Sequence, residues 1–170
     1  MNIKLLLTLL IAITLNNGLA QTTNKPKTQM GKILAWDNIY FGMPRDTVEN
    51  LIQESSNPNV YIVGDYECRI YCYYNSANLL NKISLITVPL SLASYETGLQ
   101  MWYDEIVKTL TEEFGKPTSN RGYPDISKLK HGKTELSTIW NLKAKTIQMG
   151  MGRNYNDGFV SIFIFKNPTK

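Results

Sequence analysis

The chain has 170 residues, with 18 Lys and Arg against 14 Asp and Glu, two Cys and one His. That length suits one domain with its own core. The small, scattered positive excess argues against nucleic acid, and so few Cys and His cannot build a metal centre of the usual kind.

Met1-Asn2-Ile3-Lys4 is a short n-region with one positive charge, followed by an apolar run from Leu5 to Leu15. Gly18 and Ala20 are small residues of the kind that precede a signal-peptidase cut. Residues 1–20 are therefore expected to be a signal peptide cleaved near Ala20, which places the protein in the periplasm or outside the cell. The alternative, an uncleaved anchor, is disfavoured because the run is far shorter than the roughly 20 residues a spanning helix needs. No stable membrane insertion is expected. Residues 21–32 are polar and aperiodic, and are expected to be a flexible linker.

A single α+β domain is expected over 33–170. It opens on Ile33-Leu34-Ala35-Trp36, with a short strand at Ile39-Tyr40-Phe41. Gly42-Met43-Pro44 turns the chain into a first helix, because Pro fits a helix's first turn and Asp46 and Glu49 have capping-box-like spacing. Val48, Leu51 and Ile52 give its apolar stripe. Three strands are expected next, at 60–63, 68–74 and 83–88, with a turn over 75–81. The second helix is the stronger. Thr97 and Gln100 have capping-box spacing, and Leu99, Tyr103, Ile106, Leu110 and Phe114 recur every three or four residues. Gly115 and Pro117 end it. A loop over 118–134 leads to strands at 137–142, 145–151 and 159–165, with Asp157-Gly158 read as a hairpin turn. The last strand is apolar on both faces, which suits a central position. Each half of the chain, 33–90 and 91–170, thus puts a helix before strands, a repeat of pattern only. Helices on one face of an antiparallel sheet make a two-layer sandwich.

The stretch from Ile39 through Gly42-Met43-Pro44 to Val48 and Ile52 resembles the opening of SmpA/OmlA-type envelope domains. Phe114-Gly115-Lys116-Pro117 resembles their Leu-Gly-x-Pro ending, although here it closes the second helix. The tandem arrangement is similar to β-lactamase-inhibitor-protein-like folds. The resemblance implies a binding module of the envelope rather than an enzyme, and it carries over no functional residue.

Cys68 and Cys72 lie four apart on one expected strand, roughly 13 Å along it, too far for a bridge whose Cα atoms must approach within about 7 Å. They are expected to be free thiols. His131 and Glu135 are the residues around which a small hydrolase would be built, but no nucleophile motif accompanies them. Gly150-Met151-Gly152-Arg153 leads to a turn and another strand, not to a helix, so it reads as a close-packed strand end rather than a phosphate loop. No cofactor, metal or catalytic residue is assigned, and the oligomeric state is left open. Alternation along 68–74 puts Ile70 and Cys72 under the helices and Arg69, Tyr71 and Tyr73 on the opposite face, where Trp140 and residues of the last strand are expected to join them. Tyr, Trp and Arg are the side chains enriched at binding hot spots. A protein partner in the envelope is the expected ligand of that face.

Overall fold

The computed structural model describes residues 34–55 and 57–168. The expected signal peptide and linker lie outside them. The chain opens with a small hairpin, β1 (Leu34–Trp36) and β2 (Ile39–Tyr40), and continues into α1 (Arg45–Gln53). Strands β3 (Val60–Val63), β4 (Tyr66–Tyr74), β5 (Leu80–Thr87) and the two-residue β6 (Leu90–Ser91) follow. Then come α2 (Gln100–Phe114), a two-residue β7 (Ser119–Asn120), β8 (Thr134–Asn141), β9 (Lys145–Arg153) and β10 (Asp157–Lys166). The last eight strands form one antiparallel sheet in the order β3-β4-β5-β10-β9-β8-β7, with β6 added against the start of β10. The fold is α+β, and β10 holds the central place that its apolar faces suggest.

Alternation decides which side chains form the core. Cys68 and Ile70 of β4, Leu80, Ile83 and Leu85 of β5, and Val160, Ile162 and Ile164 of β10 are buried on one face. On that face α2 contributes Tyr103, Ile106 and Leu110, spaced as one helical stripe requires. Its contacts reach towards both edges of the sheet. Trp102 stacks on Tyr66 with ring centroids 5.0 Å apart, and the Tyr103 hydroxyl meets Ser137 Oγ at 2.6 Å and Thr138 Oγ1 at 2.7 Å. The shorter α1 buries Val48 and Ile52, and its Arg45 guanidinium lies 4.7 Å from the Tyr74 ring.

Several boundaries differ from the expectation, each for a local reason. Neither helix has a side-chain cap: Pro44 and Leu99 occupy the cap positions. A π-turn over Tyr95–Leu99 replaces the expected start at Thr97, whose hydroxyl instead donates to the Ser94 carbonyl at 3.4 Å. The turn after β4 spans only 75–79. It is shortened because Asn75 Oδ1 accepts from both Ala77 N and Leu79 N and returns Leu80 to the core. Asp157-Gly158 is not the turn but the start of β10, paired with β6 and β9. Gly158 is needed there for packing, because a Cβ would come within 2.7 Å of Leu99 Cδ1. The stretch 118–134 contains β7 and a 3-10 turn at Ile126–Lys128. Gly115 does close α2 with a positive φ of 82°.

Both cysteines are free, Cys68 buried and Cys72 partly so. Burial pushes their thiols up to about 12 and about 11. The nucleophile in alkylation is the thiolate. Native protein at pH 8 should therefore resist iodoacetamide, and unfolding without reductant should expose both thiols, as a mass shift of two adducts would record. Rapid labelling of the folded protein would contradict the placement.

Candidate functional site

The opposite face of the sheet has no helix over it among the described residues. On β4 it carries Glu67, Arg69, Tyr71 and Tyr73, all exposed; the two tyrosines are 44% and 42% exposed. Register then assigns their neighbours. Tyr71 pairs with Ser84 of β5, which pairs with Phe163 of β10; one step along, Tyr73 pairs with Lys82, which pairs with Phe165. Two rows of aromatic and polar side chains therefore run side by side across three strands, at the spacing where cross-strand pairs touch.

Lys82 organises this cluster. Its ammonium lies 3.7 Å from the Tyr73 ring centroid, 5.7 Å from Phe163 and 5.9 Å from Phe165. A cation held over ring faces gains about 0.5–1 kcal/mol at an exposed site. Neither Lys82 nor Arg69 forms an ion pair with another described residue. Beneath the cluster Ser84 is fully buried, and its hydroxyl has no hydrogen-bond partner among the described residues. At the end of the rows a groove of about 640 Å³ lies between Tyr73, Lys82, Phe165 and Lys166. Away from the aromatic cluster the same face is flat and close-packed. A Cβ at Gly150 would run into the Glu135 carbonyl, and one at Gly152 into the Phe159 ring, so the strand-end reading of these glycines holds.

The expected site residues divide. Arg69, Tyr71 and Tyr73 lie together on the uncovered face. Trp140 does not: it is 1% exposed, and its indole N–H donates to the Gly115 carbonyl at 2.9 Å at the end of α2. A bulge between Leu136 and Thr138 shifts the register of β8, so Leu136 faces the open side while Trp140 turns to the core. Lys82, Phe163 and Phe165 take the place expected for it. The phenylalanines were legible in the alternation Phe159, Phe163 and Phe165 against Val160, Ile162 and Ile164. Lys82 was not, because it falls between the turn expected over 75–81 and the strand expected from 83.

No family model, no curated protein and no solved structure matches this chain. The site has to be read from its own geometry. His131 is exposed and stacks on Tyr155 at 4.2 Å between centroids. Glu135 sits elsewhere, in a recess of about 60 Å³ with Arg121, Tyr123 and Ser137, and lies 3.7 Å from the Arg121 guanidinium. His131 is not among the described residues that line this recess. Among the described residues no group of three His, Cys, Asp or Glu could hold a metal ion, and no helix is long and apolar enough to cross a membrane.

Proposed function

We propose that the protein is an exported, non-catalytic binding module of the cell envelope that contacts a protein partner through the uncovered sheet face. The observation that carries this reading is the cluster in which exposed Arg69, Tyr71 and Tyr73 stand beside half-buried Lys82, Phe163 and Phe165 on one sheet face. Solvent-facing sheet positions are ordinarily polar, and an exposed patch of this composition marks an interaction surface. Its cations suit a partner that presents carboxylates beside apolar groups. The α+β fold, the resemblance of its sequence to SmpA/OmlA-type domains and the leader-like N-terminus support the same reading.

The test separates folding from binding. Tyr71→Ala and Tyr73→Ala should leave the melting temperature nearly unchanged, since neither side chain fills the core, whereas Ile70→Ala should cost about 2–5 kcal/mol. In capture from an envelope extract the two tyrosine variants should lose whatever wild type retains. A hot-spot aromatic is worth about 2 kcal/mol or more, which is at least tenfold in affinity. Tyrosine variants that melt as low as Ile70→Ala, or that retain the same partner, would remove the support for this face.

A further inference from the structure

A second surface lies at the opposite side of β4, along the free edge of β3. Its sequence, Val60-Tyr61-Ile62-Val63, is β-branched and aromatic with no charge, proline or bulge. Edge strands usually carry one of those devices because unpaired N–H and C=O groups recruit further strands. Among the described residues nothing pairs with this edge. The β3–β4 turn is the two residues Gly64 and Asp65, so Val63 and Tyr66 form the closing hydrogen-bonded pair, and alternation turns the backbone groups of Ile62 outward. The bond from Ile70 N to the Asn59 carbonyl at 3.1 Å confirms that alternation. The Ile62 side chain is itself 59% exposed.

Two clefts flank this edge and share Asp37, Tyr61 and Ile62 as walls. One, of about 480 Å³, is completed by Leu51, Glu54 and Val60 among others. The other, of about 330 Å³, is completed by Trp36, Glu113, Phe114 and Lys145 among others. A strand added to a sheet edge takes its affinity from main-chain bonds and its specificity from pockets that receive its side chains. The charge around the edge is predominantly acidic: Asp37, Glu54 and Glu113 line the clefts, Asp65 is in the turn, and Glu67 stands opposite Ile62, against the single exposed cation Arg69 opposite Val60. Among the described residues the one cation lining either cleft, Lys145, is buried, with its ammonium donating to the Ala35 carbonyl at 3.2 Å and lying 4.6 Å from the Phe114 ring. A second copy of the chain, paired β3 to β3, would bring these carboxylates against one another.

We infer that the β3 edge is a strand-addition site for an extended basic peptide segment of a partner, with main-chain bonds made at Ile62 and lysine or arginine side chains directed to the carboxylates of the two clefts. The probe is a short capped peptide alternating lysine and valine, with the glutamate–valine peptide as counterpart, titrated into the isotope-labelled protein and followed by amide shifts. The lysine peptide should bind at least tenfold more tightly, with shifts centred on Tyr61, Ile62 and Val63. Ile62→Lys keeps an exposed position exposed, so circular dichroism and melting should not change, while binding falls tenfold or more. Tyr73→Ala, on the other surface, should bind the peptide as wild type does. Equal binding of both peptides, shifts that map elsewhere, or no binding at millimolar peptide would overturn the inference. So would a concentration-dependent dimer abolished by Ile62→Lys, or a requirement to remove residues 21–32 before the peptide binds, since either would name a different occupant.

Discussion

Trp140→Ala should destabilise the fold by about 3–5 kcal/mol, the range for truncating a large buried aromatic. The side chain is almost fully buried, and it ties β8 to the end of α2 through the bond from its indole N–H to Gly115. Most of the cost should come from the cavity. Gly115 is exposed, so water can satisfy its carbonyl once the indole is gone. In a domain of this size the melting temperature should drop by on the order of 10 °C. Trp140→Phe keeps much of the volume and should fall between wild type and Ala. Calorimetry on the three proteins checks the order. A Trp140→Ala protein that melts within a degree or two of wild type would place this ring on the surface, beside Tyr71 and Tyr73, where it was first expected.

The second large effect is expected at Tyr103, where packing and polar terms can be separated. Its ring is 1% exposed beneath α2, and its hydroxyl meets Ser137, Thr138 and, at 3.3 Å, the Gly122 carbonyl. Ser137 and Thr138 are both buried. Tyr103→Phe keeps the ring but takes away the hydroxyl that serves them. Thr138 retains a contact to Asn120 Oδ1 at 3.1 Å, whereas the structure gives Ser137 Oγ no other side-chain partner. Leaving one buried hydroxyl unsatisfied costs about 1–3 kcal/mol. Tyr103→Ala adds the loss of the ring and should cost at least as much as Trp140→Ala. Denaturant unfolding of both variants gives the two terms by difference. Equal stability of Tyr103→Phe and wild type would mean that the hydroxyl network contributes nothing net.

These two residues also show where the sequence stops being legible. Tyr103 belongs to a helix whose apolar residues recur with the helical period, so its burial follows from spacing alone. The same holds for Cys68, Ile70 and Cys72 against Arg69, Tyr71 and Tyr73, because a strand without irregularity keeps its parity from end to end. Trp140 has no such local signal, because its face is set by how β8 pairs with β9 and by a bulge in that pairing. The extra residue between Leu136 and Thr138 reverses every side chain after it. The clustering of Lys82 with Phe163 and Phe165 depends on β5 pairing with β10, some eighty residues apart, and nothing local encodes that register. Gly158 was misread for a related reason: Asp-Gly is a turn signal by conformation, but here the glycine is required by Leu99 packing against it. The edge of β3 was legible as a strand and not as an edge, since strand order is a property of the whole sheet.

If the Tyr71 face meets a protein partner, cross-linking from that face should capture it. A benzophenone amino acid placed at Tyr71 should give a discrete cross-linked protein in intact cells on irradiation. The same probe at Met101, exposed on α2, serves as the control. The adduct should form from position 71, be absent from position 101, and be lost when Lys82→Glu reverses the charge at the centre of the cluster. No adduct from position 71, or the same adduct from both positions, would contradict that contact.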